Sequence, residues 1–170
     1  MALLEILQPP HPTLRARALP VESFDAALGQ LVADMYETMY KAPGIGLAAP
    51  QVGVSRRLLI MDVADGEERR PRTVINPEIL WRSPELATAE EGCLSLPSFY
   101  AEVTRPAAVR LRYRDEAGDE HEIEADGLLA RCVQHEIDHL DGILFIDHLS
   151  ALRRGMILRK HNKTRRGGRG

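Results

Sequence analysis

The chain has 170 residues, of which 44% are hydrophobic, and carries a formal net charge of −3. This length and composition predict one compact domain over residues 1–170 and leave little room for two ordinary domains. No apolar run reaches the roughly 18 residues needed to span a bilayer, and the N-terminal stretch MALLEILQPPHP lacks the basic and apolar regions of a signal peptide. These features exclude a membrane-spanning protein and favour a soluble, cytoplasmic one.

Residues 24–41 are predicted to form an amphipathic helix. Its apolar side chains recur at helical spacing: Leu28, Leu31, Val32, Met35 and Met39. Ser23 and Asp25 stand near its start and supply a cap or a first-turn acid. Residues 42–54, APGIGLAAPQVGV, contain three glycines and two prolines, which predicts a loop that lets the backbone approach another group closely.

The middle of the chain is predicted to be β-rich and antiparallel. Strand-like runs separated by polar turns occupy residues 56–64, 73–80, 107–115 and 120–126. Between the second and third runs lies AEEGCLSLP, in which Cys93 is bracketed by Gly92 and Pro97. Two interpretations of Cys93 are open: a metal ligand presented from a strand or loop, and a buried structural thiol. With only Cys93 and Cys132 in a reducing compartment, we expect free or metal-bound thiols and no disulfide.

Residues 128–140, LLARCVQHEIDHL, are predicted to form a largely buried helix that stops at Gly142. On such a helix His135 and His139 share one face, because residues four apart stack along it, so both rings can face one metal ion. Glu136 is rotated by about 100° from His135, which suits a base acting on a water at that metal. The alternative is a solvated helix face that happens to carry these side chains.

A last helix is predicted over residues 149–162, followed by a basic tail at about 163–170. Residues 153–170 contain eight lysines and arginines and no acidic residue. The basic end is interpreted either as a solvated helix end with a frayed terminus or as a contact with nucleic acid such as ribosomal RNA.

Two histidines leave a catalytic metal short of ligands, because zinc-type sites usually have three protein ligands and a water. Cys132 lies on the same helix face, but it stands about 10 Å from His139 along the axis and is better explained as a small buried apolar residue. Cys93 is the other candidate. One thiolate and two imidazoles form a ligand set that accepts Fe(II), Co(II), Ni(II) or Zn(II).

Three motifs resemble those of the peptide deformylases in wording, order and spacing: GIGLAAPQ at 44–51, EGCLSLP at 91–97 and QHEIDHLDG at 134–142. Members of that family are metal hydrolases that remove the N-formyl group from nascent bacterial proteins. The resemblance covers nearly the whole chain. It implies an α+β fold, in which short antiparallel β-sheets pack around a central H-E-x-x-H helix, with an N-terminal and a C-terminal helix. It also implies N-formyl-methionyl nascent peptides as substrates and the bacterial cytoplasm as location.

By position, the resemblance assigns three metal ligands: Cys93, His135 and His139. It implies one divalent metal ion per chain, natively Fe(II), with Zn, Ni or Co able to replace it. Glu136 would take a proton from the metal-bound water and later deliver one to the departing amine. The side chain of Gln51 and the backbone N–H of Leu94 would stabilise the developing oxyanion.

The resemblance also implies a substrate-binding cleft. In the family, the loop containing Ile45 and Gly46 hydrogen-bonds the extended substrate backbone, and glycine permits the close approach. An apolar pocket for the methionine side chain would be lined by Leu94, Leu128 and Cys132, although core residues would show the same pattern. The stretch SFYAEVTRP, after the second motif, departs from the commonest family wording at the substrate entrance.

Several polar residues near these motifs have two interpretations. Arg131 lies either at the rim of the pocket or, as the more common case, in solvent. Glu91 and Asp138 either orient backbone or ligand groups or have surface or structural roles, and Gln134 is open in the same way. Four further histidines have no partner at ligand spacing and are expected to be solvated or structural: His11, His121, His148 and His161.

Two other functions compete with the deformylase interpretation. H-E-x-x-H alone would favour a zinc endopeptidase, but a cysteine ligand and the glycine-rich Gln51 loop differ from common zincins, which supply His or Glu. The basic tail would also fit an RNA- or ribosome-binding protein with a structural metal. Glu136 beside an open coordination position argues against that alternative. In the deformylase interpretation, the tail is expected to dock the enzyme at the ribosome.

Overall fold

The computed structural model describes residues 2–64 and 67–167. Within these ranges the helices are α1 (Ala26–Lys41), α2 (Gly127–Leu140) and α3 (Ala151–Gly167). The strands are β1 (Gly46–Ala48), β2 (Leu58–Asp62), β3 (Pro71–Arg82), β4 (Leu86–Cys93), β5 (Leu96–Pro106), β6 (Ala108–Arg114) and β7 (Glu120–Asp126). Short 3₁₀ helices span Pro12–Arg15, Ala49–Val52 and Phe145–His148. The predicted α+β class is confirmed.

Five strands form one antiparallel sheet in the order β1-β2-β3-β6-β7. All five residues of β2 are buried. Successive side chains of a strand point to opposite faces, so Leu58 and Ile60 enter one core while Leu59 and Met61 enter the other. A strand that is covered on both faces has a continuous run of apolar residues, and this run in β2 is why the sequence predicted a strand there.

The helices α1 and α2 cover opposite faces of this sheet. On one face, α1 contributes Val32, Met35 and Met39 to a core with Leu58, Ile60 and Ile75. On the other face, α2 contributes Val133, Ile137 and Leu140 to a core with Leu59, Val109 and Leu111. Burial of each such side chain stabilises the fold by about 1.5–3 kcal/mol. These contacts fix the rotation of α2 about its axis, and with it the direction of its histidines.

Strands β4 and β5 form a separate two-stranded antiparallel hairpin. Their pairing runs from Leu86–Pro106 to Cys93–Leu96, with a register shift between Gly92 and Cys93. The hairpin buries Leu96, Ala101 and Val103 against the segment after α2, which contributes Leu144, Phe145 and Ile146. Cys93 therefore stands at the end of β4, beside the turn, where the hairpin meets α2.

The predicted bounds of the first two helices agree closely with the structure. The helix predicted at 24–41 is α1, which begins at Ala26 because Asp25 Oδ1 accepts a hydrogen bond from the Leu28 N–H at 3.0 Å. The helix predicted at 128–140 is α2, and Gly142 follows it with φ of +76°. Both local signals, a side-chain cap and a stop glycine, were readable in the sequence.

Three expectations need correction. The loop predicted over 42–54 contains β1 and the 3₁₀ helix Ala49–Val52. The last helix begins two residues later than predicted and continues to Gly167, so it includes part of the predicted tail. The hairpin was not among the predicted strands, because the first five residues of β4 are exposed and show no apolar alternation. No helix in the described part of the chain is long and apolar enough to cross a lipid bilayer.

Candidate metal centre and active site

Three potential metal ligands meet at one point of the structure. The ligand atoms of Cys93, His135 and His139 all lie within 4.8 Å of one another, and Cys93 Sγ is 3.3 Å from His139 Nε2. The two histidines stand on successive turns of α2, with ring centroids 5.1 Å apart, whereas the thiol comes from the end of β4. Cys132 lies outside this cluster, as its spacing predicted.

These residues fit a divalent metal ion. A thiol and two buried imidazoles form a donor set suited to Fe(II), Co(II), Ni(II) or Zn(II). Glu136 Oε1 lies 4.0 Å from His139 Nε2, and among the described residues this buried oxygen has no hydrogen-bond partner. A buried carboxylate oxygen without a protein partner is costly unless a cation or water satisfies it. The unpartnered oxygen therefore supports a cation or its bound water at this point.

Glu136 has an environment that suits proton transfer. It is 4% exposed, and burial raises the pKa of Glu136 to about 7 because the charged carboxylate loses its hydration. A carboxyl group with a pKa near neutrality can both accept and donate a proton. A cation held by the neighbouring ligands would lower this pKa again, because it favours the carboxylate form.

Glu91 orients His135 and is itself held by two arginines. Glu91 Oε1 is 2.9 Å from His135 Nδ1, and because a carboxylate accepts, this nitrogen donates and leaves Nε2 free to bind a metal. Arg105 donates to both carboxylate oxygens at 2.6 and 2.9 Å. Burial opposes the charged form of Glu91, but the hydrogen bonds from His135 and Arg105 outweigh it and hold the pKa of Glu91 far below its ordinary value. Of the two roles left open for Glu91, the structure shows the orienting one.

Gln51 lies inside the site and not on an exposed loop. Its Oε1 accepts from the Ala48 N–H at 2.9 Å, and its Nε2 donates to Ser95 Oγ at 3.1 Å and lies 3.5 Å from Cys93 Sγ. The bond to Ala48 turns the amide NH₂ towards the thiol. Ser95 and Arg105 were not found from the sequence, since neither belongs to a local pattern of ligands or bases. Leu94 follows Cys93 in the hairpin turn.

A pocket of about 580 Å³ opens beside these residues. Its lining includes all of the residues predicted to bind substrate: Ile45, Gly46, Leu94, Leu128 and Cys132. Ile45 and Leu128 are 44% and 56% exposed, so they form the rim, whereas Cys132 is buried. Leu128 is thus not a core residue, which was the alternative interpretation of its apolar spacing.

Gly46 permits a close approach between β1 and α2. A Cβ at this position would lie 2.6 Å from Glu136 Oε2 and 2.9 Å from Cys132 Sγ. Both distances are shorter than real Cβ contacts, so any larger residue would displace one of these side chains. The glycine was expected to make room for a substrate, and the structure adds that it makes room for Glu136.

The expectation of a solvated Arg131 is wrong. Its side chain is only 10% exposed, and Nη1 donates to Glu91 Oε2 at 2.5 Å and to the Val103 carbonyl at 2.9 Å. Its Nη2 donates to the Ala87 carbonyl at 2.8 Å. A buried carboxylate and two backbone acceptors therefore draw the guanidinium inwards, while Arg131 also borders the pocket.

The remaining polar candidates have structural partners. Asp138 Oδ2 lies 2.9 Å from Arg105 Nη1 and 2.8 Å from His148 Nε2, and Gln134 Nε2 donates to the Pro106 carbonyl at 3.0 Å. The other three histidines contact Thr13 N, Asp115 Oδ2 and the Pro9 carbonyl: His11, His121 and His161. These four histidines lie outside the metal cluster, in agreement with the prediction.

Comparisons with known proteins agree with this geometry. A family model described as polypeptide deformylase matches residues 3–155. A peptide deformylase of Phenylobacterium zucineum is 56% identical over 164 residues, covering 96% of this chain and 97% of its own length. A peptide deformylase of Rhizobium meliloti is 52% identical over 165 residues, with 96% and 95% covered.

Solved structures show the same fold. A peptide deformylase from Ehrlichia chaffeensis in complex with actinonin superposes with a TM-score of 0.93 at 40% identity, covering 96% of this chain and 98% of that one. A peptide deformylase from Legionella pneumophila gives a TM-score of 0.91 at 46% identity, with 96% of each chain covered. The chain therefore belongs to the polypeptide deformylase family.

Proposed function

We propose that the peptide deformylase activity of this chain is carried out at the centre formed by Cys93, His135 and His139. The activity is the hydrolysis of the formamide bond at an N-terminal formyl-methionine: one water is consumed, and formate and a free amine are released. The observation that carries the assignment is the convergence of these three donors beside the buried, unpartnered Glu136 carboxylate. The endopeptidase alternative is not favoured, because the deformylase family model matches residues 3–155 and deformylase relatives cover 96% of the chain.

The family is metal-dependent, and we propose one divalent ion per chain, natively Fe(II). Cys93, His135 and His139 would hold this ion, which would supply Lewis-acid chemistry to the formyl group and to a water molecule. The same donors accept Zn(II), Ni(II) or Co(II), so the ligand set supports several metals. Iron with a thiolate ligand is open to oxidation, so we expect the Fe(II) form to lose activity in air.

Glu136 is proposed as the group that moves the proton. It would accept a proton from the attacking water and deliver one to the departing amine. Its burial supports this double role, as does Oε1, which lies 4.0 Å from His139 Nε2 and has no hydrogen-bond partner among the described residues. The two histidines differ in their affinity for a proton. Burial opposes the charged form of His135, but Glu136, Cys93 and Glu91 outweigh it and raise the pKa of His135 well above its ordinary value, whereas burial together with the nearby His135 lowers the pKa of His139 well below its ordinary value.

Gln51 and Leu94 are proposed to stabilise the oxyanion that forms on the formyl oxygen. The amide NH₂ of Gln51 is held 3.5 Å from Cys93 Sγ by the bond from Ala48, so it needs little reorganisation during the reaction. The Leu94 N–H follows the cysteine directly in the turn. One such donor typically contributes about 3 kcal/mol to stabilisation of the transition state.

The pocket is proposed to hold the formyl-methionyl end of the substrate. The backbone of Ile45 and Gly46 would hydrogen-bond the extended peptide, as an added strand does. Leu94, Leu128 and Cys132 would contact the methionine side chain. A mainly apolar pocket with few polar groups is typical of such recognition.

We also propose that the enzyme works in the bacterial cytoplasm and that its basic C-terminal helix docks at the ribosome. Among the side chains of α3 that the structure describes, four basic ones are exposed: Arg153, Arg159, Lys160 and Lys163. The opposite side of the helix is anchored, since His161 is buried and lies 3.2 Å from the Pro9 carbonyl. Replacing the four exposed residues by glutamine should weaken co-sedimentation with ribosomes, while unchanged co-sedimentation would refute the docking.

The substrate class is tested by three substrates offered to the metal-loaded protein. Formyl-Met-Ala-Ser should release formate rapidly, whereas acetyl-Met-Ala-Ser should release little acetate if the activity is specific for the formyl group. Unfolded casein should stay intact. Fragmentation of casein without release of formate would support the endopeptidase and overturn the proposal.

A further inference from the structure

Arg131 joins α2 to both strands of the hairpin. It lies one turn before His135, and its guanidinium turns towards β4 and β5. Nη1 donates to Glu91 Oε2 at 2.5 Å and to the Val103 carbonyl at 2.9 Å, and Nη2 donates to the Ala87 carbonyl at 2.8 Å. A single side chain therefore contacts one residue near the end of β4, one near its start and one in β5.

The proposed metal ligands are divided between the same two parts of the fold. Both histidines stand on α2, whereas Cys93 ends β4. Over the described residues the hairpin shares no strand pairing with the five-stranded sheet. The spacing between thiol and imidazoles therefore depends on the contacts that dock the hairpin on α2. Apolar contacts are not directional, whereas charge-assisted hydrogen bonds fix an orientation.

Arg131 differs from Arg105 in where it is anchored. Arg105 belongs to the hairpin, as Glu91 does, so its two bonds to this carboxylate would survive a shift of the hairpin, and only its bond to Asp138 of α2 would be lost. Arg131 belongs to α2, so its bond to Glu91 Oε2 would not survive such a shift. The other oxygen, Oε1, accepts from His135 Nδ1 at 2.9 Å. Arg131 thus ties the carboxylate that orients His135 to the helix that carries this ligand.

We propose that Arg131 is a positioning residue for the metal centre. It docks the hairpin on α2 and holds Glu91 in line with His135, so that Cys93 and His135 keep the spacing that a shared metal ion needs. This inference rests on the proposed function, in which both residues are ligands. Loss of a group that orients a metal-bound histidine typically lowers metal affinity about 10- to 100-fold, and Arg131 acts one step further away, through Glu91.

The test uses the full chain loaded with Co(II), as wild type, Arg131→Met and Arg110→Met. Methionine keeps an unbranched stem and removes the guanidinium. Arg110 is an exposed arginine of β6 that pairs with Glu124 at 3.4 Å, which makes it a matched control. The measurements are the rate of Co(II) loss to a chelator, the visible absorption of bound Co(II), which reports thiolate ligation, and kcat and KM.

Arg131→Met should lose Co(II) about tenfold faster than wild type, with altered absorption and a lower kcat at nearly unchanged KM. Arg110→Met should match wild type. If Arg131→Met released Co(II) at the wild-type rate and showed the wild-type Co(II) absorption, the proposal would be overturned even if the melting temperature fell. Only a general structural role would then remain for Arg131.

Arg131→Lys decides the question if the methionine variant does not fold. Lysine keeps the charge but cannot reproduce the planar fork that bridges a carboxylate and two carbonyls. Its Co(II) release should still be faster than wild type, and equal rates would overturn the proposal. A failure of the proposed function itself appears in the wild type: Co(II) absorption without a thiolate contribution would remove Cys93 as a ligand, and the inference with it.

Discussion

Gly46→Ala tests whether the position of the Glu136 carboxylate limits the rate. A Cβ at residue 46 would lie 2.6 Å from Glu136 Oε2, and ordinary contact begins at 3.4 Å, so the oxygen would have to retreat by about 0.8 Å to reach ordinary contact. Cys132 Sγ would lie 2.9 Å from the same Cβ, so it restricts the space into which the Glu136 oxygen can move. A misplacement of about 1 Å can cost about 100-fold in rate, so we expect kcat to fall about 10- to 100-fold. Overpacking should destabilise the fold by about 1–3 kcal/mol.

The assay is formate release from a formyl-methionyl peptide, with metal content and urea unfolding measured on the same preparations. Gly29→Ala in α1 is the matched control, because a Cβ there meets only Glu116 Oε1 at 3.9 Å. This control should keep kcat and gain about 0.5–1 kcal/mol of stability from helix propensity. A kcat for metal-loaded Gly46→Ala within roughly twofold of wild type would refute the steric reasoning.

Three further changes probe the parts of the site separately. Gln51→Met removes the amide donor beside Cys93 and should lower kcat about 100- to 1000-fold at unchanged metal content; near-normal kcat would remove Gln51 from the oxyanion site. Arg105→Met takes two hydrogen bonds from buried Glu91 and should destabilise the protein by about 3–5 kcal/mol in urea unfolding, whereas a loss below about 1 kcal/mol would show that the remaining partners suffice. Removal of the metal by a chelator should abolish formate release and lower the melting temperature, because the ion binds the folded state only, and an unchanged melting temperature would contradict that coupling.

Local patterns in the sequence were enough to predict the helical half of the site. His135 and His139 share a face of α2 because their spacing fits the helical period, and this needs no knowledge of the rest of the fold. Cys93 lies 46 residues before His139 in sequence, so no local pattern joins them, and only the family resemblance paired them. The extent of the single domain over residues 1–170 stays a prediction.

The contacts that support the site could not be predicted in the same way. β4 is mostly exposed, so its residues carry no apolar alternation and the hairpin was overlooked. Arg105 and Asp138 are separated by 33 residues, and Arg131 and Glu91 by 40. Such ion pairs form only once the hairpin has docked on the helix. The sequence around an arginine does not show whether its guanidinium will meet a buried carboxylate or stay in solvent.

The assignment of Glu136 as the proton-transferring group is tested most directly by formate release from Fe(II)-loaded protein without oxygen. Wild type, Glu136→Gln and the exposed control Glu22→Gln are compared at equal metal content. Glutamine keeps the size of the side chain and removes its basicity, so Glu136→Gln should retain the metal and lose at least about 100-fold in kcat, while Glu22→Gln should match wild type. Metal-loaded Glu136→Gln that releases formate at the wild-type rate would contradict the assignment.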